Sequence, residues 1–255
     1  LIMLKQLGLF CCLCTTASFT LAGEVNVYAA PSLTNALTDI IKLYQQQYPD
    51  SKVTPVFADP LTMAKQMQQA SRADLYISTD KNSVQALNQN KLVTKKRAKY
   101  LMSDQLVAIT SVNMDIPFGQ SKQFNFAQVF KGNLCTAQLD TSALGLYTRQ
   151  SLTYLGWFSN LQQRISQNTD NTSLLNAVQN GKCEVGITFQ TDALTSKKVK
   201  MIGIFPAKSH DPIDYYITLT TQGEKNKTAT QFERFIFTSP KVRALLLNYG
   251  FGNKK

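Results

Sequence analysis

The sequence predicts an α/β protein whose sheets are mostly parallel and carry helices on both faces. Short apolar runs typical of buried strands alternate along the chain with longer amphipathic runs typical of helices. Strands joined by such crossover helices pair in parallel and are covered on both sides. The 255 residues are enough for one large domain or for two modest ones.

The individual elements follow from the spacing of the apolar residues. In the first half, strands are predicted over 25–28, 52–57, 75–78 and 106–110, and helices over 33–48, 62–70 and 81–90. In the second half, strands are predicted over 133–137, 184–189, 201–205 and 215–220, and helices over 145–155, 172–180, 228–237 and 240–249. No internal repeat or low-complexity linker interrupts the series.

A helix start follows the first strand directly. Tyr28-Ala-Ala-Pro-Ser-Leu-Thr-Asn-Ala-Leu37 passes from an apolar strand through a small-residue turn into an amphipathic stretch. Ser32 and Thr34 lie where the helix begins, beside free N–H groups and the positive end of the helix dipole, which favour an anion. Ser and Thr also begin helices simply as caps, so anion binding and plain capping both stay open.

Four strand-to-helix junctions, at 30–32, 58–62, 140–145 and 189–192, come from both halves of the chain. In sheets of this kind, ligands bind where the carboxyl ends of strands meet the starts of helices. We therefore expect a site in a cleft between two lobes.

The first 22 residues are interpreted as a cleavable secretion signal. Lys5 supplies a short basic region, residues 7–22 are apolar and small, and Thr20-Leu-Ala22 is typical of a cleavage site. The apolar run is too short for a comfortable membrane span, so soluble export is the expectation.

Of the five cysteines, Cys135 and Cys183 lie outside this signal segment. Two cysteines in an exported chain often bond to each other, but the sequence does not show whether their Cα atoms are close enough. One disulfide and two buried free thiols are therefore both left open. A catalytic thiol is not expected, because the single histidine, His210, shows no sign of acting as its base.

The chain is basic, with a formal net charge of +11. Its basic residues are scattered over separate loops, which favours a solvated basic surface. No aromatic-interleaved basic motif points to nucleic acid, so no nucleic-acid partner is expected. Without a metal-ligand cluster or a paired nucleophile and base, we expect neither a cofactor nor catalysis. Asp74 and Asp192 are interpreted as caps or scaffold.

Five stretches carry a family resemblance. They are Ala29-Ala-Pro-Ser-Leu-Thr-Asn-Ala36, Ala73-Asp-Leu-Tyr-Ile-Ser-Thr-Asp80, Gly145-Leu-Tyr147, Val185-Gly-Ile-Thr-Phe-Gln-Thr-Asp-Ala193 and Leu247-Asn-Tyr-Gly-Phe251. In order and spacing they resemble the periplasmic molybdate-binding proteins of ABC importers, a type II periplasmic binding protein family. The resemblance implies two α/β lobes joined by crossover strands near 103–105 and 214–216. Lobe 1 would comprise 23–104 and 215–255, lobe 2 would comprise 105–214, and 1–22 would be the signal.

The resemblance also implies a site in which neutral donors hold an oxyanion. In the family these are two serine hydroxyls at helix starts, a tyrosine hydroxyl and several backbone N–H groups. The matching positions here are Ser32, Pro60, Leu144, Asn171 and Phe189, with Thr62 near Pro60 as partial compensation. The stretch 73–80 is interpreted as scaffold, with Thr79 or Asp80 starting the next helix.

Two of these positions depart from the family pattern. Pro60 brings neither a hydroxyl nor an N–H group, and Phe189 lacks the phenol. Each missing hydrogen bond to a charged ligand costs on the order of 1.5–3 kcal/mol. Asp59 would also place a carboxylate close to a dianion, although Asp59-Pro60 is equally a plain N-cap and N1 pair. Phe189 can equally be a core residue.

The function predicted from this resemblance is an exported, periplasmic solute-binding protein. It would capture an oxyanion, molybdate or tungstate, between two lobes and deliver it to an ABC permease, and we expect it to act as a monomer. The alternatives are the same scaffold binding a different, organic anion, or a secreted or surface interaction protein.

Overall fold

The computed structural model describes residues 23–58, 63, 65–67, 72–79, 81–93 and 98–252. The predicted secretion signal therefore lies outside the described residues, as do Asp59, Pro60 and Thr62. Most of the predicted helix at 62–70 also lies outside them, although Met63 and Met67 are described as helical and fully buried.

The described elements alternate along the chain as predicted. The strands are β1 (Glu24–Ala29), β2 (Lys52–Phe57), β3 (Leu75–Ser78), β4 (Lys99–Ser103), β5 (Leu106–Ser111), β6 (Leu134–Ala137), β7 (Ile165–Asn168), β8 (Val185–Phe189), β9 (Val199–Ile204) and β10 (Asp214–Leu219). The helices are α1 (Thr34–Gln47), α2 (Lys81–Gln89), α3 (Ala143–Tyr154), α4 (Phe158–Leu161), α5 (Asn171–Gln179), α6 (Gln190–Ala193), α7 (Lys227–Thr238) and α8 (Pro240–Asn248). Apart from the helix at 62–70, every predicted element is present, with ends shifted by at most two residues.

Four short elements were not predicted: β4, β7, α4 and α6. Both strands lie at the edge of a sheet and are only partly buried, so they lack the continuous apolar run of a central strand. Each of the two helices has four residues, which is too short to show a helical period.

The strands form two five-stranded sheets, in the orders β2-β1-β3-β10-β4 and β7-β6-β8-β5-β9. Each sheet is mixed rather than mostly parallel. In the first, β1 pairs in parallel with β2 and β3, whereas β10 is antiparallel to β3 and β4. The second repeats this pattern, with β6 parallel to β7 and β8 and with β5 antiparallel to β8 and β9. The antiparallel pairs arise because β5 and β10 enter their sheets from the other sheet instead of from a crossover helix.

Two chain segments pass between the sheets. The first is Asp104 and Gln105, which join β4 to β5 as predicted. The second is 205–213, between β9 and β10; the predicted position at 214–216 is already inside β10 of the first sheet. We propose that lobe 1 comprises 23–104 and 215–255 and that lobe 2 comprises 105–214. The strands of the first sheet lie in the lobe 1 ranges and those of the second sheet in the lobe 2 range. The one exception is Asp214, the first residue of β10, which belongs to the first sheet but falls in the lobe 2 range.

Most strands inside the two sheets are buried along their whole length, as their apolar runs predict. This holds for β3, β5, β6, β8 and β10, which are covered on both faces. In the second sheet, Cys135 of β6 and Cys183 form a disulfide with their Cα atoms 5.7 Å apart, which is one of the two states that the sequence left open. None of the described helices combines the length and apolar character needed to cross a membrane.

Candidate functional site

A cleft of about 410 Å³ lies between the two sheets, at the carboxyl ends of their parallel strands. Residues from three of the four predicted junctions line it: 30–32 after β1, 142–144 at the start of α3, and Phe189 and Asp192 around the start of α6. Thr79, directly after β3, and the start of α5 line it as well. The fourth predicted junction lies outside the described residues except for Ala58.

On the lobe 1 wall, Ser32 lies in the first turn after β1. Pro31 occupies the first position of this 3₁₀ turn, Pro31–Leu33, and no side chain of the described residues caps it. Leu33 N–H donates to the Ala30 carbonyl at 3.0 Å. Ser32 is therefore at the second helical position, where a backbone N–H has no partner within the helix. Its N–H and its hydroxyl are both available donors at a positive helix end.

Tyr215 of β10 orients the Ser32 hydroxyl. The two hydroxyl oxygens are 2.9 Å apart, and Tyr215 is fully buried. Burial, together with the negative charge of Asp104, raises the pKa of Tyr215 well above its usual value. The phenol therefore keeps its proton and can donate it to Ser32 Oγ, which leaves the Ser32 proton for a ligand.

On the lobe 2 wall, α3 begins at the cleft. Ser142 caps it, because Ser142 Oγ accepts from Gly145 N–H at 2.9 Å. The backbone of α3 at Gly145 lies close to the backbone of Gln138, and a Cβ at this position would be 1.9 Å from the Gln138 carbonyl oxygen. A glycine is therefore needed here. Leu144 is the second residue of α3, so its N–H has no partner within the helix. The Leu144 side chain is buried and narrows the cleft.

The start of α5 lies on the same wall. Asp170 caps it by accepting from Ser173 N–H at 2.7 Å, and this hydrogen bond lowers the pKa of Asp170. Asn171 is the first helical residue, and its side-chain amide donates to Asp192 Oδ2 at 2.6 Å. The Asn171 backbone N–H occupies a position with no intrahelical acceptor.

Phe189 ends β8 and lines the cleft, with 3% of its residue surface exposed. Its ring packs edge-on against Tyr147 of α3, with centroids 6.2 Å apart. Phe189 is therefore at once a core residue and part of the cleft wall, and the two roles considered from the sequence do not exclude each other. It brings no hydroxyl to the site.

Two of the hydrogen bonds that connect the lobes join a lobe 2 helix to the lobe 1 backbone beside the cleft. Tyr147 Oη donates to the Thr79 carbonyl oxygen at 3.3 Å. Gln190 Nε2 donates to the Gly250 carbonyl oxygen at 3.2 Å. Both join lobe 2 helices to lobe 1 backbone, so any change in the opening of the cleft has to break or reform them.

The charged groups of the cleft are acidic. Asp192 lines it, and the buried Asp104 lies at the first crossover, where Thr191 Oγ1 donates to Asp104 Oδ2 at 2.6 Å. Burial raises the pKa of Asp104 to about 6, against the lowering effect of its hydrogen bonds to Thr191 and Gln105. Burial, and next the charge of Asp104, raises the pKa of Asp192 to about 8. Among the described residues, no lysine or arginine lines the cleft.

The donor groups around the cleft are suited to holding an anion. Within the part of the chain that the structure describes, no three His, Cys, Asp or Glu side chains are grouped to hold a metal ion. Hydroxyls and helix-start N–H groups face the cleft from both lobes, which is how an anion is held without a formal positive charge.

The structure brings four of the predicted ligand residues together: Ser32, Leu144, Asn171 and Phe189 all line the cleft. Pro60 and Thr62 lie outside the described residues. Sequence reasoning missed three further features. These are the Tyr215 bond to Ser32, the place of Thr79 in the lining of the cleft and the place of Asp192 in the cleft as well as in the scaffold. Thr79 and Asp192 lie in two segments that the sequence had already indicated, 73–80 and the junction 189–192. No sequence pattern singled out Tyr215.

Comparison with known proteins agrees with this geometry. A family model described as bacterial extracellular solute-binding protein matches residues 25–252. The molybdate-binding protein ModA of Haemophilus influenzae is 28% identical over 246 residues, covering 93% of each chain. ModA of Escherichia coli K12 is 28% identical over 233 residues, covering 90% of this chain and 89% of ModA. The periplasmic molybdate-binding protein of Azotobacter vinelandii has the same fold, with a TM-score of 0.74 at 18% identity over 91% of this chain and 100% of that one.

Proposed function

The chain belongs to the bacterial extracellular solute-binding proteins, and from that premise we propose that it captures a tetrahedral oxyanion, molybdate or tungstate, for an ABC permease. The observation that carries the proposal is the convergence of three helix starts on one cleft. Ser32, Leu144 and Asn171 each present a backbone N–H that its own helix does not use, and they come from both lobes.

Binding would work by closure of the two lobes. An anion that accepts hydrogen bonds from Ser32 on one side and from Leu144 and Asn171 on the other is held best when the cleft is closed. It therefore shifts the population toward that state. Release then needs only reopening, so the protein acts without a chemical step. The relatives named above fit this view, since they are binding proteins for molybdate.

The proposal extends to the place of action. Residues 1–22 would direct export and be removed, leaving a periplasmic monomer whose partners are the anion and the permease and not nucleic acid. Fractionation of expressing cells with N-terminal sequencing tests the export, with a chain starting near Gly23 as the expected result. Light scattering of the purified protein tests the monomer.

The direct test of ligand identity is calorimetric titration of ligand-stripped protein, without residues 1–22, with molybdate and tungstate. Near-stoichiometric binding is expected, because Ser32 and the backbone donors are retained. Absence of both heat and thermal stabilisation would overturn the oxyanion proposal.

A second candidate ligand is an organic anion that also carries a hydrogen-bond donor. It is favoured by Asp192, whose carboxyl group lines a cleft that lacks the tyrosine hydroxyl at Phe189. The oxygens of this carboxyl group can accept a hydroxyl or ammonium proton, which a bare oxyanion does not offer. Thermal stabilisation by hydroxy acids or amino acids, with none by molybdate, would favour this candidate over the first.

A further inference from the structure

One hydroxyl of the cleft has no assigned role. Thr79 directly follows β3 and lines the cleft, its residue surface is 2% exposed, and its Oγ1 has no hydrogen-bond partner among the described residues. Leaving such a group buried and unpaired costs free energy in the unliganded protein. The cap role considered from the sequence is not seen, because Thr79 Oγ1 bonds to no described residue of α2.

Thr79 lies at the same edge of the first sheet as the turn that carries Ser32. β1 and β3 are parallel neighbours, with Ala29 paired to Ile77, so the residues that follow both strands emerge at the same edge of the sheet. Ala30 N–H donates to the Ile77 carbonyl at 3.2 Å, which extends this pairing to the entrance of the Ser32 turn. Thr79 is also the point at which Tyr147 of lobe 2 contacts lobe 1.

We propose that the Thr79 hydroxyl is a ligand donor of the cleft, hydrogen-bonding an oxygen of the bound oxyanion in place of the serine hydroxyl that Pro60 lacks. This inference rests on the proposed function. Rotation about the Cα–Cβ bond of Thr79 moves its hydroxyl between staggered positions, so the hydroxyl can turn toward the anion without moving β3. The anion would then satisfy a donor that the unliganded protein leaves unpaired.

The chain offers a matched control in Thr188 of β8. Its residue surface is fully buried and its Oγ1 is also unpartnered among the described residues, but it does not line the cleft. Replacing either threonine by valine removes an unpaired hydroxyl and nearly preserves shape, so neither change is expected to lower the melting temperature of the unliganded protein.

The two variants are expected to differ in binding. Molybdate titration should show Thr79→Val weakened by about tenfold to a hundredfold, because a hydrogen bond to a charged ligand is lost. Thr188→Val should bind as the wild type does, and Thr79→Ser, which keeps the hydroxyl, should retain most of the affinity.

The outcomes separate this inference from the proposed function. Wild-type binding with equal binding by Thr79→Val overturns the inference and leaves the function standing. Equal weakening of Thr79→Val and Thr188→Val also overturns it, because the effect would then come from repacking. No binding of molybdate or tungstate by the wild type overturns the function and the inference together.

Discussion

The two walls of the cleft present helix starts whose donors are used differently. On lobe 1, no side chain within the described ranges caps the turn Pro31–Leu33, and Tyr215 orients the Ser32 hydroxyl. On lobe 2, Ser142 and Asp170 each accept a backbone N–H of their own helices. A capped helix start has used part of its donor capacity to stabilise itself, whereas an uncapped one keeps it for a ligand.

This difference suggests a division of work between the lobes. Lobe 1 would supply side-chain hydroxyls that bind strongly, and lobe 2 would supply single N–H groups, the shape of Leu144 and Phe189, and the acidic Asp192. The four predictions below test that division, from the largest expected effect to the smallest.

The largest effect is expected from restoring the two family donors together, with Pro60→Ser and Phe189→Tyr. One change acts on each lobe, and two recovered hydrogen bonds to a dianion should strengthen molybdate binding by roughly a hundredfold to ten-thousandfold. Calorimetric titration of the double variant against the wild type measures the gain. Phe158→Tyr, a half-buried ring outside the cleft, is the control for an added phenol. A double variant without any gain would mean that the site has adapted to another ligand.

The second prediction separates the stability of lobe 2 from the strength of binding. Removing the disulfide with Cys135→Ala and Cys183→Ala opens a loop of sequence separation 48. The free energy of unfolding should fall by about 2–4 kcal/mol, because the cross-link limits the freedom of the unfolded chain. Molybdate affinity of the folded variant should be unchanged. A large loss of affinity, measured alongside denaturant unfolding, would show that the disulfide shapes the cleft itself.

Much of the fold could be predicted from the sequence, because central strands buried on both faces leave continuous apolar runs. β3, β5, β6, β8 and β10 are all of this kind. The edge strands β4 and β7 leave no such signal, and the antiparallel direction of β5 and β10 depends on contacts between sheets that no local pattern contains.

The site was predictable where it depends on local structure. Ser32, Leu144 and Asn171 lie at or next to the predicted starts of amphipathic helices. A predicted strand precedes the first two, whereas β7, the strand before Asn171, was not predicted. Tyr215 meets Ser32 across 183 positions of sequence, and such a contact exists only once the chain has folded. The family motif pointed to the donors that are missing but not to the Thr79 hydroxyl.

The third prediction compares the two walls directly through two serines. Ser32→Ala removes a hydroxyl donor and should weaken molybdate binding by about 1.5–3 kcal/mol. It also takes the Ser32 partner from the buried Tyr215 hydroxyl, so the free energy of unfolding should fall by about 1–3 kcal/mol. Ser142→Ala removes a cap and should lower the free energy of unfolding by about 1 kcal/mol, with a much smaller effect on binding. Ser239→Ala, the cap of α8 outside the cleft, is the control for loss of a cap alone. Equal losses of affinity in Ser32→Ala and Ser142→Ala would contradict the proposed division between lobes.

The fourth prediction concerns the acidic side of lobe 2 and its dependence on pH. The pKa of Asp192 is raised to about 8 by burial and then by the charge of Asp104. In the unfolded chain an aspartate titrates near 3.9, so between about pH 4 and 8 the folded protein holds a proton that the unfolded chain has released. Stability should therefore fall as the pH rises through this window and level off above it. Asp104, whose pKa is about 6, also makes the stability fall as the pH rises, but its contribution levels off above about pH 6.

The same proton affects binding, and here the expected effect is smallest. Below about pH 8 the Asp192 carboxyl is neutral and does not repel a dianion, whereas above it the carboxylate does. Molybdate affinity should fall by up to about tenfold between pH 7 and pH 9. This is the limit because the loss of one proton can change an affinity by at most tenfold for each pH unit above the pKa. Asp192→Asn stays neutral and its side-chain oxygen can still accept from Asn171, so its affinity should not change over this range. An equal fall in both proteins would assign the pH dependence to another group, and lobe 2 would then act on the ligand through shape and backbone alone.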